Sequence, residues 1–208
     1  MSINKKTKDF WEDCHNKQIV PSLSGCGYEE TIKWLQIEDL LKPGMTVLEF
    51  GVGMCYVTKG FKLNNFKVSA LDISDKALQN AKEYCEAVYS LDTIESLPSD
   101  YFDIILCHNT VQHIPTDSLK LELQQCIRSL KPVTGIFAVE FVSAYDIEDT
   151  GENPNIESIS SGILCRSVNF MQSLIQLYNA KSKIMYSAEN LKTNSPITGA
   201  HILHIYKE

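Results

Sequence analysis

Apolar positions in this chain come in short bursts, and the bursts alternate between two periods. Compact, mostly apolar runs at 46–50, 67–72, 87–90, 102–107 and 135–142 read as buried strands. Two more, at 183–187 and 201–206, close the chain. Between the strands the spacing turns helical. Tyr56–Leu63 forms a short helix, and Ser74 caps another through about Glu86. Thr116 caps a helix to Ser129 that places Leu119, Leu123, Ile127 and Leu130 on one face. Ser167 caps the last one, to about Asn179. This alternation predicts a doubly wound α/β fold: a mostly parallel, seven-stranded sheet with helices on both faces. No helix separates the last two strands, so they are expected to pair as an antiparallel C-terminal hairpin. The stretch 190–199 holds the Asn, Ser, Pro and Gly that such a connection needs.

Residues 1–41 read as a short helical N-terminal cap, or lid, on a core at 42–208, the whole making one domain. Ile32, Leu35, Leu40 and Leu41 predict a helix over Thr31–Leu41, stopped by Lys42-Pro43-Gly44. Ser22 to Gly27 reads as a flexible turn before it. The segment 143–166 is long for a loop and follows a central strand, where loops cover or line a site.

Composition narrows the function class. Apolar residues are 44% and charged residues 22%, as in soluble globular proteins. The net charge of −7 argues against nucleic acid as a partner. No secretory signal and no membrane-spanning run is apparent, so a cytoplasmic location is expected. Seven cysteines without a C-x-x-C pair read as reduced, mostly buried thiols. His201 and His204 are three apart on a strand and face opposite sides, so no metal site is expected.

The chemistry concentrates in VLEFGVGMC (47–55) and VSALDIS (68–74). Each apolar run ends in a carboxylate, Glu49 and then Asp72. Gly51 and Gly53 lie between, where a strand turns into a helix. Glycine lets backbone approach a nucleoside closely, and an acid at the second strand's end can accept from ribose hydroxyls. The same residues also suit a plain tight turn and a helix cap. The spacing is G-x-G-x-C; position 56 is Tyr, so the dinucleotide pattern G-x-G-x-x-G is incomplete.

Two further segments, ESLPSDYFDIILCHNTVQHI (95–114) and CIRSLKPVTGIFAVE (126–140), complete a set. Together the four resemble the class I, Rossmann-like S-adenosylmethionine-dependent methyltransferases over about residues 42–142, as a small single-domain type. The family's third motif glycine is Cys55 here, which would narrow the room near the methionine part of the cofactor. Val133-Thr134-Gly135 replaces the common Gly-Gly after Lys-Pro.

The resemblance implies S-adenosylmethionine as cofactor and S-adenosylhomocysteine as product. The backbone of Gly51, Val52 and Gly53 would run beside the methionine moiety, with Glu49 organising that loop. Asp72 would take the ribose hydroxyls. Ile73 would lie against the adenine, with Ser74 beside it. Asp92-Thr93-Ile94 would meet the adenine amino group. Cys107, His108 and Asn109 would meet the methionine ammonium, and Trp11 is a further cofactor candidate or an aromatic anchor. His113, His108 and Glu140 are candidate bases; each fits a structural role as well. Tyr28, Asp146 and Arg166 are candidate substrate residues, and for each a packing or surface role is open. The implied partner is a small-molecule methyl acceptor at oxygen, nitrogen or carbon, with no membrane and an unknown oligomeric state. The alternatives are a methyltransferase of protein α-amino termini, an NAD-dependent oxidoreductase and a non-catalytic cofactor-binding subunit.

Overall fold

The computed structural model describes residues 5–19, 27–144, 157–160, 163–187 and 197–207. Its centre is a seven-stranded sheet. The strands are β1 (Thr46–Phe50), β2 (Lys67–Asp72), β3 (Ala87–Ser90), β4 (Ile104–Cys107), β5 (Ile136–Ala144), β8 (Ala180–Ser187) and β9 (Ile197–Lys207). Their order across the sheet is β3-β2-β1-β4-β5-β9-β8. The first five run parallel. β9 runs antiparallel to both β5 and β8, which makes the expected C-terminal hairpin.

The helices are α1 (Lys5–Asn16), α2 (Tyr28–Trp34), α3 (Tyr56–Leu63), α4 (Asp75–Ala81), α5 (Thr116–Ser129) and α6 (Val168–Gln176). The buried apolar residues divide between two faces of the sheet. Leu119, Leu123, Ile127 and Phe170, from α5 and α6, pack with Leu48, Phe50 and Ile105. Val57 and Phe61 of α3 pack with Val47, Val68 and Leu106. Successive strand residues point to opposite faces, so β1 and β4 feed both layers.

Several expected boundaries move. The helix expected over Thr31–Leu41 ends at Trp34, because Gln36 turns to φ +54; a 3₁₀ turn at Glu38–Leu40 follows. The helix capped by Ser74 stops at Ala81 instead of about Glu86. Ser74 and Ser167 cap as expected, accepting from Ala77 N–H and Phe170 N–H. Thr116 does not cap: it is the first helical residue, and Pro115 holds the cap position. Part of the expected long loop forms a separate hairpin of β6 (Glu157–Ser160) and β7 (Ile163–Arg166). Residues 20–26 and most of 190–199 lie outside the described residues, so those turns are not followed further.

At the amino edge of the sheet, Asp103 ties three segments together. Its carboxylate accepts from Thr46 N–H at 2.8 Å and from Lys131 Nζ at 2.7 Å. Burial alone would raise its pKa, but the Lys131 bond and the Thr46 donors hold it below the usual value. The other edge, where the parallel strands end, is thereby left to the site.

Candidate functional site

β1 ends in a loop whose backbone tolerates little but glycine at Gly51. That residue has φ +82, and its N–H donates to Leu71 O at 2.8 Å, tying the loop to β2. A Cβ at this position would stand 2.0 Å from Thr110 Oγ1. Gly53 follows with φ +48 and donates its N–H to Asp72 Oδ2 at 3.0 Å. The other oxygen of Asp72 accepts from Ser74 N–H at 2.9 Å. Asp72 therefore joins the glycine loop to the start of α4.

Two buried acids stand at this edge. Burial raises the pKa of Asp72, against the pull of its backbone donors. Glu49 accepts from the Thr58 hydroxyl. Burial pushes its carboxyl up to about 8, the Thr58 bond opposes this, and the neighbouring Asp72 charge adds to it. Both acids line one cavity, together with Gly51, Gly53 and Ile73.

The facing wall comes from the end of β4. His108, Asn109 and Thr110 line it, and Asn109 sits at φ +54. Glu140 of β5 holds that turn from behind, accepting from Asn109 N–H at 3.0 Å. It also accepts from Trp34 Nε1 at 2.9 Å and lies 3.3 Å from His108 Nε2. The other nitrogen of His108 is 3.5 Å from Thr31 Oγ1. Burial lowers the pKa of His108, and the charge of Glu140 works the other way.

α1 forms the third wall. Its Trp11 and His15 line the cavity, Trp11 edge-on to His113 with centroids 4.9 Å apart. Glu12 accepts from the Ser74 hydroxyl at 2.6 Å and from Lys76 N–H at 3.2 Å. Lys8 pairs with Asp92 at 2.7 Å and with Asp75 at 3.3 Å. The helix is thus pinned along the start of α4.

A family model described as a methyltransferase domain matches residues 47–133, which hold the glycine loop, both acids and the turn after β4. The matched residues mark a methyltransferase domain, and the fold around it is that of class I, Rossmann-like S-adenosylmethionine-dependent methyltransferases.

Solved structures share the fold of this methyltransferase along nearly its whole length. A TehB-like methyltransferase from Corynebacterium glutamicum superposes with a TM-score of 0.63 at 15% identity, over 98% of this chain and 99% of the other. The 1,6-didemethyltoxoflavin-N1-methyltransferase of Burkholderia thailandensis, solved with S-adenosylhomocysteine, gives 0.65 at 14%, over 100% and 92%. Among curated proteins, the ubiquinone biosynthesis O-methyltransferase of Nitrosomonas europaea is 27% identical over 100 residues, 44% of this chain and 42% of its own length. That of Paramagnetospirillum magneticum is 30% identical over 86 residues, 38% and 34%. The chain thus spans less than half the length of the curated relatives it matches.

Within the methyltransferase cavity the structure gathers Glu49, Gly51, Val52, Gly53, Asp72, Ile73, His108, Asn109, His113 and Trp11. Other expected residues fall elsewhere. Ser74 is buried under α1 as a cap. The 3₁₀ turn at Leu91–Ser96 directs Asp92 outward to Lys8, Thr93 bonds Ser90 O, and Ile94 enters the core; Leu91 lines the cavity in their place. Cys107 is wholly buried in the core, and Glu140 stands one layer behind the wall. Tyr28 packs edge-on to Phe61 at 4.9 Å and covers Gly60. Arg166 is also wholly buried, donating to Val111 O at 2.9 Å and to Ile114 O. It braces the turn after β4 from inside and does not face an acceptor. Asp146 lies outside the described residues.

Cys55 does not narrow the cavity. It takes φ +63, in the left-handed region that favours glycine, and its side chain packs with Ala77 and Leu78 under α4. Polar lining residues that the sequence did not single out include Thr7, Tyr56, Thr110, Ser118 and Glu122. Ser118 and Glu122 lie one helical turn apart on α5, a spacing that also reads as an ordinary solvated stripe. Burial pushes Glu122 up to about 8, with the charge of Arg166 opposing it. Glu122 Oε2 has no hydrogen-bond partner among the described residues.

The cavity suits a cationic nucleoside. It offers two carboxylates at the strand ends, a close backbone approach at the glycines, and no Lys or Arg among the described lining residues. No group of three or more metal-binding side chains occurs among the described residues. No described helix is long and apolar enough to cross a membrane.

Proposed function

We propose that this chain transfers a methyl group from S-adenosylmethionine to a small-molecule acceptor. The observation that carries the reading is the pair of buried acids, Glu49 and Asp72, facing one cavity across the Gly51–Gly53 loop. When bound, S-adenosylmethionine supplies a methyl group on a sulfonium centre, open to in-line displacement. The chain's residues then have four tasks: to hold the nucleoside, to match positive charge, to exclude water and to manage the acceptor's proton.

Asp72 would hold the ribose hydroxyls. Its two oxygens are already fixed by Gly53 and Ser74, so the carboxylate is oriented before ligand arrives. Ile73 and Leu91 give apolar surface for the base. Glu49 would balance the cationic end, and a positive charge nearby would favour its ionised form. The domain reading assigns α1 as a lid: Trp11 and His15 close the cavity, and Glu12 and Lys8 latch the helix to α4 and to Asp92.

His113 is the better placed base. It lines the cavity, burial lowers its pKa, and its ring makes no hydrogen bond among the described residues. An imidazole neutral at pH 7 can take a proton from an acceptor O–H or N–H. Both nitrogens of His108 face protein groups, so His108 with Glu140 positions the turn.

The cavity would admit a small acceptor, and the relatives named above include ubiquinone biosynthesis O-methyltransferases and a 1,6-didemethyltoxoflavin-N1-methyltransferase. The test is turnover. Purified protein with labelled S-adenosylmethionine is expected to form S-adenosylhomocysteine with a metabolite fraction and not with denatured cell protein or nucleic acid. Label transferred only to protein would move the reading to a protein methyltransferase.

A further inference from the structure

On the cofactor reading, the cavity receives an amino-acid end as well as a nucleoside, and that end carries a carboxylate. Glu49 and Asp72 already bring two acids there, so the carboxylate needs a donor of its own. Three backbone donors of the glycine loop are spent. Gly51 N–H goes to Leu71 O, Gly53 N–H to Asp72 and Cys55 N–H to Val52 O. Lys and Arg are absent from the described lining residues. His108 is held between Glu140 and Thr31. His113 lies against Trp11, beside the turn that leads into α5.

Of the lining side-chain donors, His15 is the one with a buried nitrogen left unmatched among the described residues. It is only 7% exposed and lines the cavity. Its Nδ1 is buried with no hydrogen-bond partner among the described residues. Its Nε2 lies 3.8 Å from where a Cβ on Gly53 would stand, so the ring looks onto the glycine loop. Stacking on Trp11 at 6.0 Å could be met equally by Phe or Tyr and leaves the nitrogen unexplained. The charged groups bearing on His15 are Glu12 from its own helix and Asp72 from β2.

We propose that His15 pairs with the α-carboxylate of the bound cofactor, which makes α1 the element that selects an adenosyl amino acid over a neutral nucleoside. The inference rests on the cofactor reading above. A charge-assisted hydrogen bond of this kind changes affinity by about tenfold or more.

The test compares S-adenosylhomocysteine with 5′-methylthioadenosine, which has the nucleoside and lacks the amino-acid end. Calorimetric titration of the wild type, His15→Ala and His15→Gln is expected to show S-adenosylhomocysteine weakened about tenfold or more in His15→Ala. Methylthioadenosine is expected to stay within about twofold. His15→Gln, which keeps an N–H donor, is expected to recover part of the loss. Equal weakening of both ligands in His15→Ala would overturn the proposal, because the residue would then serve the nucleoside or the fold. Unchanged S-adenosylhomocysteine binding would overturn it too. A wild type that binds neither ligand defeats the cofactor reading first, and this inference with it.

Discussion

Trp34 donates its indole N–H to Glu140 Oε1 at 2.9 Å, across 106 residues of chain. The bond links the N-terminal segment to the fifth strand, and the same carboxylate holds Asn109 N–H and faces His108. One side chain therefore sets the turn that walls the cavity. Trp34→Phe removes a single donor and is expected to cost about 1 kcal/mol in urea unfolding. Glu140→Ala leaves buried donors unmet and is expected to cost about 3 kcal/mol. It should also weaken S-adenosylhomocysteine binding, because Asn109 at φ +54 loses its hold.

Gly51 and Thr110 occupy one space from two sides. Gly51→Ala would drive a Cβ to 2.0 Å from Thr110 Oγ1 at a backbone of φ +82. The variant is expected to lose about 2 kcal/mol or more of stability and to bind cofactor poorly. A melting temperature and ligand affinity equal to wild type would show that the loop can shift freely.

Glu49 and Glu122 have carboxyl groups pushed up to about 8 by burial. The unfolded chain ionises both near the ordinary 4.5, so the folded chain binds more protons between 4.5 and about 8. Stability is therefore present in full below the lower value and is lost as pH rises through the upper one. Unfolding free energies from urea titration should fall over that window by an amount on the order of several kcal/mol, and the urea midpoints with them. Glu122→Leu should flatten part of the fall and raise the melting temperature at pH 8, since it removes a buried acid with an unpartnered oxygen. A midpoint independent of pH would contradict the burial of these acids.

Cys55 occupies a left-handed position with its thiol packed away from the cavity. Cys55→Gly gains about 1 kcal/mol from relieved backbone strain and loses a similar amount of packing. Near-neutral stability and unchanged S-adenosylhomocysteine affinity are expected. A tenfold change in affinity in either direction would place Cys55 at the ligand.

The strand pattern and the glycine loop were legible because burial imposes them locally. Val47–Phe50 and Val68–Asp72 had to be strands, each mostly apolar with a carboxylate at or next to its carboxyl end. Motif residues spoke less directly. Asp103 and Lys131 belong to two of the segments that carried the family resemblance, yet they bond each other at the amino edge, opposite the site. Their part in the pattern is architectural. Arg166 and Asp92 misled for another reason: a charge in a sequence does not say whether it faces ligand, solvent or a buried carbonyl. Glu122 was missed because a single polar residue on a helix reads as a surface residue until tertiary packing buries it. The β6–β7 hairpin was missed because strands of four residues are too short to show a period.

The central claim is that the Glu49–Asp72 end of the cavity holds S-adenosylmethionine. Its most direct test is calorimetric titration of S-adenosylmethionine and of NAD into the wild type and Asp72→Ala. The account predicts one-to-one binding of S-adenosylmethionine to the wild type, weakened by about a hundredfold in Asp72→Ala, and no binding of NAD. Binding of NAD alone, or S-adenosylmethionine binding untouched by Asp72→Ala in a folded variant, would contradict it.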